Sequence, residues 1–318
     1  MKYLILGTSS FTINCALTIR DSGHEISSMI SLTKKQLPDN SADIEKIADQ
    51  LNVPYHEIEN INDTKSVRLL ETYQADYCLS SWPNLLKKPV LNLPKFFCIG
   101  THPTHLPFNR GRHPLHWLIN LGILNNYLTF FKMDEDIDSG NILLQIPCNI
   151  TSKDSIKDSL LKLDQAGYKG TTKLNEILVS NPNFIGNKQN HNLANNWRKR
   201  TPHDITIDPR MSANMIIRTV NSYSPPYPCA KLIVGNTILS ISKASISTQT
   251  YRYSPSEQGR IEPGKIISMD THNIELKVED EIITLKSVET IPINLKDIKY
   301  IHPPSKYIAK FPNLLEVD

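Results

Sequence analysis

The sequence lacks paired cysteines, long apolar runs and a large net charge, and each absence counts against a class of protein. The chain has five cysteines in 318 residues, an odd number with no Cys-x-x-Cys pair, which predicts reduced and buried thiols. No apolar run reaches membrane-spanning length, and the run at the N-terminus is too short for a signal peptide. The formal net charge is only +3, too small by itself to indicate a nucleic-acid partner. The sequence therefore predicts a soluble, cytoplasmic protein with no membrane partner.

Short apolar runs alternate with amphipathic helical stretches through the first half of the chain. The runs at Tyr3–Leu6, Ile26–Ile30, Tyr77–Ser80 and Phe96–Thr101 read as strands, and helical spacing of apolar residues separates them. This alternation predicts an α/β fold, a Rossmann-like and mostly parallel sheet with helices on both faces. Ligands of such sheets bind at the carboxyl ends of the strands.

The pattern changes after a polar stretch at 187–196. A helix is predicted at Ser212–Val220, and the Pro-rich turn at Ser224–Pro228 leads into short apolar runs separated by turn residues. Such runs indicate a small β-barrel or open β-domain. We therefore predict an α/β domain over 1–185, a linker over 186–208 and a β-rich, OB-like accessory domain over 209–318.

An imidazole and a carboxylate occupy the most informative positions. His102 follows an apolar strand and opens the loop HPTHLPFNRG, and Asp138 lies 36 residues later in the acidic turn MDEDIDSG. The interval leaves room for one helix and one strand, so the two side chains can meet at the same end of the sheet. A carboxylate beside an imidazole favours its charged form, and the pair can move a proton during acyl transfer.

Other histidines nearby do not predict a metal site. His105, His113 and His116 lack the spacing of a helical pair such as His-Glu-x-x-His, and no cysteine or carboxylate completes a ligand set. We therefore expect no metal. Without Asp138, His102 itself would be interpreted as a structural histidine.

The loop and the turn together resemble the folate-dependent formyltransferases, the family of methionyl-tRNA, glycinamide ribonucleotide and sugar-amine formyltransferases. Their pattern is Asn-x-His-Pro/Gly-Ser-x-Leu-Pro-x-x-Arg-Gly, followed by an Asp-x-Gly turn. The matching residues are His102, Leu106, Pro107, Arg110, Gly111, Asp138 and Gly140, with Thr104 in place of the serine. The stretch 224–244 is similar to the start of the family's accessory β-domain, so the resemblance covers nearly the whole chain.

The resemblance implies that the chain is an N-formyltransferase with 10-formyltetrahydrofolate as donor. It assigns proton transfer and stabilisation of the tetrahedral intermediate to His102, with Asp138 orienting the ring. The folate is expected against the loop after the strand that precedes His102 and against the acidic turn. The implied donor-binding residues are Ser80, Ser81, Trp82, Leu85, Asp134 and Asp136. Trp82 is equally well explained as a core aromatic.

One position departs from the family pattern. The family has Asn two residues before the histidine, where it helps to hold the formyl oxygen, and this chain has Gly100. A missing donor of this kind costs transition-state stabilisation. Thr101, Asn109 and the imidazolium of His102 are candidate substitutes. The same Asn is absent from the hydrolase domain of formyltetrahydrofolate dehydrogenase, so hydrolysis of the formyl donor is an alternative activity.

Basic residues indicate the acceptor. The segment WRKRTPHD, from Trp197 to Asp204, is similar to one in the sugar-nucleotide formyltransferases, which also have an arginine at the position of Arg112. Guanidinium groups bind phosphate bidentately, and a turn before a helix can bind an anion. The candidate acceptor-binding residues are Thr8, Ser9, Ser10, Arg110, Arg112, Arg198 and Arg200. They favour a dTDP- or UDP-linked amino sugar, for surface polysaccharide synthesis, as the acceptor.

Two further interpretations stay open. Methionyl-tRNA is the alternative acceptor, although the small net charge gives little support to a nucleic-acid partner. A non-catalytic relative that binds folate or nucleotide is the other. Homodimers occur in the family, so a homodimer is possible here as well.

Overall fold

The computed structural model describes residues 1–38, 41–248, 254, 257 and 259–306, and the chain divides into two compact units. The first unit comprises residues 1–114, 125–149 and 160–198, and the second comprises 115–124, 150–159 and the chain from Lys199 onward. Within the predicted linker, 186–208, residues up to Arg198 therefore belong to the first unit and the rest to the second.

The first unit is built on one seven-stranded sheet. Its strands are β1 (Lys2–Leu6), β2 (Glu25–Leu32), β3 (Tyr55–Ile58), β4 (Tyr77–Ser80), β5 (Phe97–His102), β7 (Tyr127–Lys132) and β8 (Ile142–Pro147), in the order β3-β2-β1-β4-β5-β7-β8. Two short strands, β6 (Arg110–Gly111) and β9 (Asn196–Trp197), pair with each other. The helices of this unit are α1 (Ser10–Asp21), α2 (Ile44–Leu51), α3 (Thr64–Glu71), α4 (Lys88–Leu91) and most of α6 (Ile156–Ser180). All of α5 (Pro114–Leu121) except its first residue belongs to the second unit.

Strands β1 to β5 run parallel, and β7 and β8 run antiparallel at one side of the sheet. All four residues of β4 and four of the five residues of β1 are buried. Fully buried strands of this kind are typical of a parallel sheet that is covered on both faces. The predicted mostly parallel α/β fold is confirmed.

Close packing at the carboxyl ends of β1 and β4 fixes two turns. The Ser81 amide donates to Leu6 O at 2.9 Å, and the hydroxyls of Thr12 and Ser81 lie 2.6 Å apart. A Cβ on Gly7 would lie 2.2 Å from Thr12 Oγ1, so only glycine fits between these groups. The turns that follow β1 and β4 therefore lie side by side at this edge.

Helix α6 runs without a break through Gly167 and Gly170, although glycine is a poor helix former. A Cβ at Gly167 would lie 2.6 Å from the Phe11 ring, and a Cβ at Gly170 would lie 2.2 Å from the Phe130 ring. The two glycines therefore let aromatic rings approach the helix backbone and do not end the helix.

All five cysteines are buried as free thiols, as predicted. Burial raises the pKa of Cys15 to about 12 and that of Cys148 to about 11. Because the thiolate is the reactive form, these side chains are unreactive at neutral pH.

We expect the folded protein to release almost no chromophore with 5,5′-dithiobis(2-nitrobenzoate) at pH 8. A thiol with a pKa of about 12 is thiolate in only about one molecule in 10⁴ at that pH. The same assay in concentrated guanidinium chloride should release five equivalents. Fast reaction of any thiol in the folded protein would contradict the burial.

The second unit contains a separate antiparallel sheet, which confirms the predicted β-rich domain. Its elements are α7 (Ala213–Ser222), β10 (Ala230–Val234), β11 (Thr237–Ile246), β12 (Ile266–Met269), β13 (Asn273–Lys277) and β14 (Ile282–Ser287), with the strand order β10-β11-β14-β13-β12. Ser212 caps α7 by accepting from the Met215 amide. Apolar residues of α7 and of the strands share one buried core. In the part of the chain that is described, no helix is long and apolar enough to cross a membrane.

Candidate active site

His102 lies at the carboxyl end of β5, with only 4 % of its surface exposed. Its Nδ1 is 3.4 Å from Asp138 Oδ2, and its Nε2 is 2.8 Å from the main-chain oxygen of Asn109. The structure thus brings together the imidazole and the carboxylate singled out in the sequence. Both ring nitrogens therefore face oxygen atoms that accept hydrogen bonds.

The turn that carries Asp138 is tightly constrained. Asp138 adopts a left-handed conformation with φ 51°, and its Oδ2 accepts a hydrogen bond from the Gly111 amide at 2.9 Å. A Cβ on Gly140 would lie 1.7 Å from Lys132 O, so this position requires glycine. The Asp-x-Gly spacing is therefore what allows the turn to present its carboxylate to His102.

The loop between β5 and β6 fixes the other side of the imidazole. Asn109 has φ 63°, and its carbonyl accepts from the Thr104 hydroxyl at 3.2 Å as well as from His102. Thr104 is fully buried, and its own carbonyl accepts from Thr129 Oγ1 at 2.6 Å. The ring is thus held from both edges by groups that cannot easily move.

Phe131 occupies the space beside Gly100 on β5. The two residues are directly paired across β5 and β7, and a Cβ at position 100 would lie 2.5 Å from the Phe131 ring and 2.9 Å from Met133 Cγ. Positions 100 and 102 share one face of the strand, since side chains alternate. Phe131 and Met133 therefore fill the volume next to His102 that a side chain at position 100 would need.

The residues predicted to contact the donor lie on two loops. Ser80 Oγ accepts from the Trp82 amide at 3.3 Å, and the Trp82 side chain packs against the core at that edge, in line with its interpretation as a core aromatic. Leu85 is 55 % exposed. In the acidic turn, Asp134 Oδ1 accepts from the Ser139 hydroxyl and from the Asp136 amide.

The residues predicted to bind the acceptor fall into two groups. Thr8 is buried, Ser9 forms the N-terminal capping box of α1, and Ser10 is exposed in its first turn. Arg112 is exposed, and its Nη1 donates to Pro83 O at 3.3 Å, which joins β6 to the loop after β4. Arg198 is exposed as well.

Two other arginines of that set are enclosed by protein. Arg110 is 7 % exposed, and Arg200 is 3 % exposed. The Arg200 guanidinium lies 5.0 Å from the Trp117 ring and 4.6 Å from the Tyr223 ring, and Nη2 donates to Asp204 O at 2.7 Å. These contacts give Arg200 a packing role in the second unit.

Sequence reasoning missed the contribution of the polar stretch 187–196. Gln189 is buried and donates to the carbonyls of the Asp138 turn, and Asn195 Oδ1 accepts from the Asn109 amide at 2.8 Å. The signal was the richness in Asn and Gln that predicted a linker. Side-chain amides both donate and accept, so they can satisfy loop backbone that no strand pairs with.

No group of three or more potential metal ligands occurs among the residues that the structure describes. What the site does contain is an imidazole fixed between a carboxylate and a carbonyl, at the carboxyl edge of a mostly parallel sheet. An imidazole held in this way can act as a general acid or base. A mostly parallel sheet with such a group at its carboxyl edge is typical of an enzyme of the α/β class.

The chain belongs to the formyl transferase family and is an N-formyltransferase. Residues 1–173 match the formyl transferase domain, and residues 199–298 match the formyl transferase C-terminal domain. The second match begins at Lys199, which is also the first residue of the last segment of the second unit.

Three relatives show the range of the similarity. The chain is 24 % identical over 320 residues to methionyl-tRNA formyltransferase of Buchnera aphidicola (strain APS), covering 99 % of each protein. An N-formyltransferase from Helicobacter canadensis, solved in complex with folinic acid and dTDP-3-aminofucose, is 15 % identical, with a TM-score of 0.64 over 90 % of this chain and 99 % of that one. Methionyl-tRNA formyltransferase from Clostridium thermocellum is 19 % identical, with a TM-score of 0.58 over 79 % and 95 %.

Proposed function

We propose that this enzyme transfers the formyl group of 10-formyltetrahydrofolate to the primary amine of a nucleotide-linked amino sugar. His102 handles the proton and the developing charge, and Asp138 orients His102. The observation that supports these roles best is the imidazole held 3.4 Å from Asp138 Oδ2 and 2.8 Å from Asn109 O. A ring fixed in this way needs no reorganisation when the reaction begins.

The reaction moves one proton from the acceptor amine to the folate. The neutral amine attacks the formyl carbon, the bond from that carbon to N10 of the folate breaks, and the proton lost by the amine ends on N10. Negative charge develops on the formyl oxygen in between, and a nearby cation or N–H donor stabilises it. His102 is placed to supply such a donor, and Asp138 holds its ring in position.

A substitute for the family's asparagine is available in the loop after β5. Gly100 carries no donor, and Phe131 fills the space beside it. The side-chain amide of Asn109 forms no hydrogen bond in the described part of the chain, and its residue contacts His102 through the main chain. We assign Asn109 as the second donor to the formyl oxygen.

The donor-binding loops suit a flat ring with polar edges. Leu85 and Ile137 are large apolar side chains that are each at least half exposed, one on each loop. Main-chain groups of the loop after β4 and of the Asp134–Asp138 turn lie beside them. Apolar surface with a few polar groups is the usual lining of such sites. These features support folate binding by the residues that the resemblance assigns.

Arg112 is the residue that favours a phosphorylated acceptor. Its guanidinium is exposed, and among the described residues it makes a single hydrogen bond, to Pro83 O. The arginine directly follows Gly111, whose amide donates to Asp138 Oδ2. An arginine so placed can bind a pyrophosphate bidentately.

Methionyl-tRNA is the second candidate acceptor. It is favoured by the Buchnera relative, which matches over almost its full length and is named for that activity. Binding of tRNA relies on neutralising many phosphates, however, and the net charge of this chain is only +3. We therefore retain the amino sugar as the proposed acceptor.

The proposal is tested by incubating the purified enzyme with 10-formyltetrahydrofolate and one acceptor at a time. The panel is dTDP- and UDP-linked amino sugars and charged initiator tRNA, and tetrahydrofolate release is measured together with the formylated product. We expect product with at least one amino sugar. Product with tRNA alone would refute the acceptor, folate release without any acceptor would indicate a hydrolase, and no release would indicate a binding protein.

We expect Arg112→Ala to raise the KM for the nucleotide sugar by about 10-fold or more, because a charge-assisted hydrogen bond contributes about 1.5–3 kcal/mol. The KM for the formyl donor should stay within about twofold of its original value. Arg20→Ala is the matched control, since Arg20 is an exposed arginine in the last turn of α1, just before β2 begins. An unchanged KM for the sugar in Arg112→Ala would remove Arg112 from the acceptor site.

A further inference from the structure

We infer that Gln189 is a positioning residue for formyl transfer, because it holds the turn that presents Asp138 to His102. This inference rests on the roles proposed above for the pair. Gln189 Nε2 donates to Asp138 O at 2.9 Å and to Gly140 O at 2.7 Å. Both hydrogens of one side-chain amide are therefore used on one turn, from a residue that lies some 50 positions further along the chain.

Arg110 fixes which way the Gln189 amide faces. Arg110 Nη2 donates to Gln189 Oε1 at 2.7 Å, and it also lies 3.2 Å from His191 Nδ1. A guanidinium can only donate, so it requires the amide oxygen on its side. The amide nitrogen must then point to the turn. Gln189 and Arg110 are 5 % and 7 % exposed, so water competes little for these bonds.

The contacts form a closed circuit around Asp138. The main chain at Asp138 is held by Gln189, Gln189 is held by the side chain of Arg110, and the next residue, Gly111, donates to Asp138 Oδ2. Residues 110 and 111 also pair with β9, which begins at the last residue of the polar stretch that contains Gln189. Strand β6 thus supports Asp138 in two ways. Arg110 holds its main chain through Gln189, and Gly111 binds its carboxylate.

The conformation of Asp138 adds to the role of this support. Asp138 has φ 51°, a left-handed conformation that aspartate adopts less readily than glycine, so the bond from Gln189 to its main chain helps to hold it there. The Gly140 carbonyl, two positions later, is held by the same side-chain amide. Without Gln189, the turn can relax, and the Asp138 carboxylate can then leave its position beside Nδ1 of His102.

The test compares Gln189→Met and Gln189→Glu with Asn175→Ala. Methionine keeps the length of the side chain but cannot hydrogen-bond to the turn, whereas glutamate keeps an acceptor for Arg110 and loses both donors. Gln189→Glu thus retains a partner for the buried guanidinium if Gln189→Met does not fold. Asn175 is the matched control, since it is a buried amide of the first unit that accepts from Tyr3 OH instead.

We expect both Gln189 variants to lower kcat by about 100-fold, the size of effect that a displacement of roughly 1 Å can have on a catalytic group. The KM for the amino-sugar acceptor should change less than threefold, because its proposed ligand Arg112 lies outside the turn and is bonded to Pro83 O. Asn175→Ala should lose a similar amount of thermal stability and keep its kcat. A purely structural role for Gln189 would give the same result at both positions.

The NMR signal of the Gly111 amide reports the position of Asp138 independently of activity, because this amide donates to Asp138 Oδ2. The chain has 12 glycines, so selective ¹⁵N-glycine labelling gives a spectrum in which this signal can be assigned. We expect the Gly111 amide proton to move upfield in both Gln189 variants and to stay in place in Asn175→Ala. An unmoved signal with kcat within threefold of the original would overturn the inference. A Gly111 signal that moves in both Gln189 variants, together with full activity of Asp138→Asn, would instead refute the proposed role of Asp138.

Discussion

Asp138→Asn is expected to lower kcat by about 10²–10⁴-fold, the usual contribution of a positioned acid–base group. Asparagine keeps the shape of the side chain and an oxygen for the Gly111 amide, but it removes the charge that faces Nδ1 of His102. His102→Ala should cost at least as much, because it removes the ring itself. Tetrahydrofolate release in the presence of a nucleotide-linked amino sugar measures both effects, and the melting temperature shows that the variants fold.

Glu135→Gln separates the role of Asp138 from the general charge of its turn. Glu135 is exposed in the same acidic segment, three residues earlier, and its change removes the same unit of charge. Its kcat should stay within about twofold of the original, since exposed charges are screened by solvent and salt. A large loss in Glu135→Gln, or a rate close to normal in Asp138→Asn, would contradict a specific pairing of Asp138 with His102.

Periodicity predicted the centre of the parallel sheet well because β1 and β4 are buried on both faces. The strand at Tyr77–Ser80 has the predicted bounds. Periodicity failed for β6 and β9, which contain two residues each. Such short strands have no period of their own, and they exist because a loop and a polar segment meet at the active site. Only the folded chain brings these two segments together.

Some residues of the candidate site could likewise be predicted from the sequence, and others could not. His102 and Asp138 could be found from the sequence because each follows a strand and belongs to a motif of fixed spacing. Gln189 could not, because its partners are main-chain carbonyls, which leave no trace in the amino-acid sequence. Arg200 looked like a phosphate ligand since its segment is basic, yet its aromatic neighbours, Trp117 and Tyr223, come from other parts of the chain.

The structure changes the effect that we expect from a substitution at Gly100. From the sequence, Gly100→Asn could raise activity by restoring the family's donor, or lower it if the glycine makes room for another group. Phe131 and Met133 occupy that room, so the new side chain would collide with a buried ring. We expect Gly100→Asn to lower the free energy of unfolding by about 1–3 kcal/mol, the usual cost of overpacking a core.

The activity of Gly100→Asn should fall as well, because Phe131 is paired with Gly100 across β5 and β7, and His102 follows two residues later on β5. Gly23→Asn is the control: Gly23 has φ +78°, which asparagine tolerates, and nothing lies within 4 Å of its added Cβ. That variant should stay within about 0.5 kcal/mol of the original protein. A more active Gly100→Asn would show that Phe131 moves aside and that the lost donor alone limits the rate.

The double variant Gly100→Asn/Phe131→Ala identifies the ring as the obstacle. Phe131→Ala alone should cost about 3–5 kcal/mol, because it opens a cavity next to β5. If the asparagine fills part of that cavity, the double variant should be more stable than the sum of the single changes by about 0.5–3 kcal/mol. Its kcat should exceed that of Gly100→Asn, since the amide can then lie beside His102 without displacing β7. Additive losses in stability and rate would mean that Phe131 and the position-100 side chain do not compete for one volume.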